Sequence, residues 1–382
     1  MRAFAVFPGA AEAAIVEHDD PAPDGEATVL VQMVSVGICG IDREIRASGR
    51  LSTPPDSSYL IVGHEGVGQI LDFAGPANGL RPGGFVVPMV RRACSHEWCR
   101  PCRAGRPDCC ASGDFTARGL RGRHGLLCER IVDEPRYLVP IAAEISDVAM
   151  LVEPLARAEN ALAGVDLIQS RLPEACRHEG GERDAGYRQR ALCVGAGATG
   201  FLAAMALVED GYETYVYSRE PVGGAKSGIA HSFGAGFASS DDIEPAALGE
   251  HLGPIDLVYD ASGASAAALA AMNALAPNGV FVFTAIPRST RMVASEGYAT
   301  LSRLVEKNQI VLGSLDADRG AYERAAALLG RFMKRWPHAV RALFDARVPL
   351  EHGDELLRRS PGGLKSVIDL IAASDRSTPS AR

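Results

Sequence analysis

The chain has 382 residues, 47% apolar and 23% charged, with 39 Lys and Arg against 47 Asp and Glu, giving a formal net charge of -8. That length exceeds what one hydrophobic core usually fills and suits two domains. The acidic balance without a basic block argues against nucleic acid as the main partner. The apolar run Leu192–Ala206 is broken by glycines and falls short of the roughly 18–20 residues of a membrane span. The opening MRAFAVFPGA lacks the layout of a signal peptide, so a cytoplasmic protein acting on a small molecule is expected.

Residues 1–140 alternate short β-branched runs with Gly and Pro turns, among them Val29–Val36, Gly66–Phe73 and Phe85–Val90, and predict a β-rich domain. Between Val148 and Ile168, Leu151, Leu155, Leu162 and Val165 recur at near-helical spacing. Gln169–Arg190 is polar and rich in Gly and Arg, the composition of a surface loop. Strands are then expected at Ala191–Gly195, Thr214–Tyr217, Ile255–Ala261, Val280–Ala285 and Ile310–Leu315, with helical or loop stretches such as Ala198–Asp210 between them. This alternation predicts a doubly wound parallel sheet and an α/β fold class. A helical stretch over Ala321–Lys334, followed by the segments Phe344–Pro349 and Lys365–Leu370, is placed to return the chain to the first domain.

Gly195, Gly197 and Gly200 keep the G-x-G-x-x-G spacing directly after a predicted strand, and Ala198 and Thr199 open the helix that follows. In that context the glycines permit a tight turn, close approach of backbone to a pyrophosphate, and close helix packing. The helix N-terminus adds N–H donors for the phosphates. The next strand ends at Ser218 and Arg219, whose hydroxyl and guanidinium suit the 2′-phosphate of NADP; Glu220, one residue on, leaves room for NAD.

Five of the nine cysteines fall within Cys94–Cys110. Cys94, Cys99, Cys102 and Cys110 offer four thiolates for a closed, structural zinc site, with His96 an alternate to Cys94 and Cys109 an alternate to Cys110. A second donor set is scattered: Cys39, the His64-Glu65 pair and Glu153. Three protein ligands with an open position are what a catalytic zinc requires.

Cys39-Gly-x-Asp42, Gly63-His-Glu-Gly66, the cysteine loop, Leu-Val-Glu153-Pro-Leu and the glycine turn occur in this order. The order resembles the zinc-containing medium-chain dehydrogenase/reductase family. The segments Val87–Arg92, Gly105–Asp108, Gly119–Gly125 and Glu306–Asn308 are similar to its glucose dehydrogenase branch. The resemblance implies a GroES-like catalytic domain over 1–185, completed by 317–382, and a Rossmann domain over 186–316. It implies catalytic zinc held by a subset of Cys39, His64, Glu65 and Glu153, Ser314, Leu315 and Asp316 near the nicotinamide, and a homodimer or homotetramer.

The chain departs from that pattern. Ile41 stands where the family carries a relay hydroxyl, Ala117 where the branch carries a sugar-binding Glu, and Asp316 where it carries Asn. A pocket lined by Ile41 and Ala117 is more apolar than a glucose pocket, which points to a modified sugar, a cyclitol or a less polar secondary-metabolite substrate. Asp42 and His124 are candidates for a substitute proton path. The expected activity is hydride transfer between NADP(H) or NAD(H) and a secondary alcohol or ketone. The alternatives are reduction of an activated C=C bond and a non-catalytic cofactor-binding scaffold.

Overall fold

The computed structural model describes residues 1–10, 12–23, 27–76, 79–173, 188–287, 293, 297–359 and 362–371. Most of the expected loop Gln169–Arg190 lies outside them. The described chain forms two compact units, one of Met1–Ala156, Asp316–Met333 and Phe344–Arg382, the other of Arg157–Leu315 and Lys334–Leu343.

The first unit is built on a seven-stranded sheet. Its central strand, Thr28–Ile38, alternates half-buried and buried positions before becoming wholly buried from Met33 onward. Glu65–Ala74 and Lys365–Asp369 pair antiparallel on its two flanks. The C-terminal strand therefore closes the sheet begun near the N-terminus, and residues 300 positions apart meet across it. Val31, Met33, Val36, Ile61, Ile70, Leu126, Leu127 and Ile368 are among the buried side chains of its core. A short helix, Gly40–Ser48, leaves the central strand; the sequence reading had no helix there, because Ile41 and Ile45 are its only large aliphatic residues.

The second unit holds a six-stranded all-parallel sheet. Its order is Gly236–Ser239, Glu213–Ser218, Arg190–Val194, Ile255–Asp260, Leu275–Phe283, Ile310–Gly313. This is the doubly wound order 3-2-1-4-5-6 expected of the Rossmann unit, so the fold class is α/β. The expected strands are present, and the short Gly236–Ser239, with too few β-branched residues to announce itself, is added. The helix Ala198–Glu209 is apolar almost all round and buried through nearly its whole length, with Phe201, Leu202, Met205 and Leu207 inaccessible. No helix among the described residues is long and apolar enough to cross a membrane.

The division differs from the expected domain boundaries at Asp316, which falls in the first unit, and in two longer stretches. The helix Val152–Gln169 begins in the first unit but belongs to the second from Arg157 onward. Arg157 donates to the carbonyls of Leu315 and Thr284, and Gln169 to that of Asn278, tying the helix to the ends of the parallel strands. Lys334–Leu343 also joins the second unit, where Trp336 meets the Phe233 ring and Arg335 bonds Glu209.

Candidate active site and metal centres

In the first unit the sequence Cys39-Gly-Ile-Asp42 folds into a helix cap. The Cys39 Sγ accepts the Ile41 N–H at 3.2 Å, while the Asp42 carboxylate accepts the Cys39 N–H at 2.9 Å. This reciprocal arrangement is a capping box with sulfur in place of a hydroxyl. Asp42 also accepts the Gly63 N–H at 3.2 Å and faces His64 Nδ1 at 3.3 Å, so one buried carboxylate joins the two turns. His64 Nε2 then lies 3.4 Å from the Cys39 Sγ.

Donor atoms of Cys39, His64 and Glu65 all lie within 4.8 Å of one another. A tetrahedral zinc with bonds of about 2.0–2.3 Å needs donors roughly 3.3–3.8 Å apart, so this set fits the ion in spacing and in donor type. The electrostatics agree. Burial would suppress the His64 imidazolium, but Cys39 and Asp42 outweigh it and hold its pKa well above the ordinary histidine range. Burial and the neighbouring Asp42 push the Cys39 thiol up in the metal-free protein. The place favours added positive charge.

Glu65 makes a buried ion pair with Lys365 on the opposite flank of the central strand. Gly37 lies between them: a Cβ there would meet Glu65 Oε2 at 2.9 Å and Lys365 Cδ at 3.0 Å. Lys365 is also within electrostatic reach of Cys39 and Glu153, a charged partner of the candidate donors that the sequence reading missed. Its only sequence signal is a lysine opening a strand, Lys365–Asp369, that is otherwise largely buried. Glu153 is buried at the start of its helix, but its carboxylate is not one of the three converging donors.

Two expected proton-path residues have other occupations. Asp42 directs its oxygens to two backbone N–H groups and His64, the arrangement that fixes the orientation of a metal-ligating imidazole. His124 accepts the Ile61 N–H at its Nδ1, and burial with the nearby His18 and Arg118 lowers its pKa to about 4, so it is neutral and committed at pH 7. Ile41 packs against the hydrophobic core, and Ala117 is buried on the strand Thr116–Arg118.

In the cysteine loop the Sγ atoms of Cys94, Cys99, Cys102 and Cys110 lie within 4.8 Å of one another, again a set that fits zinc. The turn of Arg100–Arg103 and the three-residue turn Pro107–Cys109 carry the chain back on itself to make this possible. Burial opposes the Cys110 thiolate, yet hydrogen bonds involving the Ser112 hydroxyl, Cys102 and the Ser112 and Gly113 backbone draw its pKa down to about 6. Both alternates are placed elsewhere: His96 pairs with Asp114 at 2.6 Å, and the exposed Cys109 faces Asp108 at 3.3 Å.

In the second unit Gly195 turns the chain with φ of +112° at the end of its strand. A Cβ on Gly200 would lie 1.9 Å from the Gly195 carbonyl, so only glycine lets the helix start this close to the turn. The Ser218 hydroxyl donates to Glu220, and Lys226 pairs with the same carboxylate. Arg219 is exposed. Ser314 N–H bonds the Phe283 carbonyl and the Leu315 carbonyl is held by Arg157, whereas the Asp316 carboxylate is committed to Arg91 in the first unit.

Comparison with known proteins agrees with both units. Residues 25–143 match the alcohol dehydrogenase GroES-like domain, and residues 146–370 match the glucose dehydrogenase C-terminus. A glucose 1-dehydrogenase of Methanocella arvoryzae is 31% identical over 97% of this chain and all of its own length. One from Metallosphaera sedula is 32% identical over 91% of this chain and 92% of its own. The structure of Haloferax mediterranei glucose dehydrogenase in complex with NADP, Zn and gluconolactone superposes with a TM-score of 0.85 at 26% identity, covering 98% of this chain and all of that one. The chain belongs to the zinc-containing medium-chain dehydrogenase/reductase family, in its glucose dehydrogenase branch. It is an oxidoreductase, and the scaffold alternative falls.

Proposed function

We propose that the chain is a zinc- and NADP-dependent dehydrogenase interconverting a secondary alcohol or lactol and the corresponding carbonyl. The observation that carries this reading is the convergence of Cys39, His64 and Glu65 in a chain that also has the Gly195–Gly200 turn. The Haloferax complex, which holds NADP and Zn, supports the cofactor choice. When bound, zinc supplies Lewis acidity toward the substrate oxygen and the nicotinamide supplies the hydride acceptor. Cys39, His64 and Glu65 hold the metal, with Glu153 as an exchanging carboxylate. Asp42 keeps His64 Nε2 turned toward Cys39, and Lys365 offsets the charge of Glu65. Cys94, Cys99, Cys102 and Cys110 hold a second, structural zinc. Ile41 offers no hydroxyl, so the substrate proton leaves through water.

The substrate, in this reading, is less polar than glucose: a modified sugar, a cyclitol or a secondary-metabolite alcohol. The half-buried Ile41 and the buried Ala117, neither of which can hydrogen-bond a sugar hydroxyl through its side chain, support this, while the relatives are named for glucose. A panel of such alcohols with glucose included, read by absorbance of reduced nicotinamide, decides it; glucose as the preferred substrate overturns the substrate assignment. Cys39→Ala or His64→Ala abolishes turnover while NADP binding persists, and full turnover by zinc-depleted protein overturns the mechanism. Ile41 alone favours a second reading, hydride delivery to an activated C=C bond. An enone with NADPH, scored for reduced alkene against alcohol, separates the two. We also place the protein in the cytoplasm as a homodimer or homotetramer. The oligomer is supported by exposed Leu301 and Val305 on the helix Gly297–Glu306, Val311 on the edge strand Ile310–Gly313 and Leu315 just beyond it. Light scattering on the purified protein tests it.

A further inference from the structure

In a doubly wound nucleotide-binding sheet, the end of the second strand meets the adenosine ribose, and the group there selects NAD or NADP. In this chain that strand, Glu213–Ser218, is followed by Arg219 and Glu220. A carboxylate at this place accepts ribose hydroxyls and repels a 2′-phosphate. Glu220 does not stand alone. The Pro221–Gly224 turn, closed by the Gly224 N–H on the Pro221 carbonyl at 3.2 Å, brings the chain straight back. Lys226, second residue of the helix Ala225–Ser232, reaches the Glu220 carboxylate, which also accepts the Ser218 hydroxyl. Arg219, beside them, has no hydrogen-bond or ion-pair partner among the described residues. Side chains at Gly223 would meet nothing within 4 Å, so the turn is open on its outer side.

One cation, Lys226, and one hydroxyl, Ser218, thus hold one carboxylate, and the exposed Arg219 next to it in sequence keeps its guanidinium uncommitted. We propose that Lys226 is a specificity-determining residue of the ribose subsite: it exchanges Glu220 for the 2′-phosphate when NADP binds, and returns to Glu220 when NAD binds. Arg219 supplies the second cation and Ser218 a hydroxyl to the phosphate. Glu220, released from Lys226, turns to solvent in the NADP complex and accepts a ribose hydroxyl in the NAD complex. The chain therefore accepts both cofactors and prefers NADP. This rests on the nicotinamide-dependent reading above.

The test is isothermal titration of the zinc-loaded protein with NADP+, NAD+, 2′,5′-ADP and 5′-AMP. Loss of one charge-assisted contact to phosphate corresponds to about 10–100-fold in affinity. Lys226→Ala is expected to weaken NADP+ and 2′,5′-ADP by that factor and to leave NAD+ and 5′-AMP unchanged or tighter, with Lys226→Arg restoring most of the loss. Glu220→Gln moves the ratio the other way, weakening NAD+ several-fold and sparing NADP+. If Lys226 only secures the turn, Lys226→Ala weakens all four nucleotides alike and the ratio stays fixed, which overturns the proposal while leaving the dehydrogenase reading intact. Wild-type protein that binds neither dinucleotide overturns both.

Discussion

Replacing Lys365 with Met removes the cation beside Glu65 while nearly preserving side-chain volume. The two side chains are 5% and 2% exposed, so neither charge has water to fall back on. Breaking a buried ion pair from one side costs about 3–5 kcal/mol, chiefly because the remaining charge is stranded. Here the stranded carboxylate also sits beside the Cys39 sulfur, which sharpens the penalty. Removing both charges, as Lys365→Met with Glu65→Gln, is expected to return most of that loss, giving a coupling of about 2–3 kcal/mol in a double-mutant cycle. Burial opposes the Lys365 ammonium, but Glu65 and Cys39 raise its pKa above the ordinary lysine value. A raised pKa means the pair contributes fully at neutral pH and fades only in the alkaline range. The assay is urea unfolding of zinc-stripped protein at pH 7, with hydrogen exchange reporting the Thr28–Ile38 and Lys365–Asp369 strands. Zinc affinity should not fall in Lys365→Met, since a cation has left the vicinity of the donors. A loss below about 1 kcal/mol, or no recovery in the double variant, refutes the account of Lys365 as the counter-charge of Glu65.

Asp133 is buried among Arg92, Arg118 and Arg123, which outweigh burial and lower its pKa to about 2 from 3.8. A depressed carboxylate stabilises above its unfolded pKa and loses that contribution on acidification, here about 2 kcal/mol between roughly pH 5 and pH 1. Asp133→Asn is expected to be less stable at pH 7 and to show a flatter acid limb in unfolding midpoints measured from pH 5 to pH 3. Cys110→Ala is expected to lower zinc content from about two ions per chain to about one, while Cys109→Ala and His96→Ala leave it unchanged by elemental analysis. Gly200→Ala places a Cβ 1.9 Å from the Gly195 carbonyl and is expected to weaken NADP+ by more than about tenfold in titration, with zinc content intact.

What was legible in the sequence is what short-range chemistry encodes. Glycine spacing after a strand announced the nucleotide turn, and the Cys99-x-x-Cys102 pair announced the thiolate cluster, because each is built within one local segment. The sequence puts Cys94 and Cys110 first but leaves His96 and Cys109 open as alternates, since the choice depends on which way two turns face. In the structure His96 faces Asp114 and Cys109 faces Asp108, while the other four sulfurs converge. Asp42 and His124 show the same limit: a carboxylate and an imidazole near a reactive centre read as proton carriers until their hydrogen bonds are counted, and both are already spent on backbone and neighbours. Lys365 lies at the far end of the argument. Nothing within the Lys365–Asp369 strand calls for a charge, and its partner is 300 residues away. The demand for a cation arises only when sheet pairing places Glu65 and Lys365 on opposite sides of Gly37. Local motifs therefore supply the candidate metal donors, whereas the tertiary fold supplies the charge that offsets Glu65 in a buried place. A substitution in the motif should cost metal and turnover; one at Lys365 should cost stability and leave the donors in place.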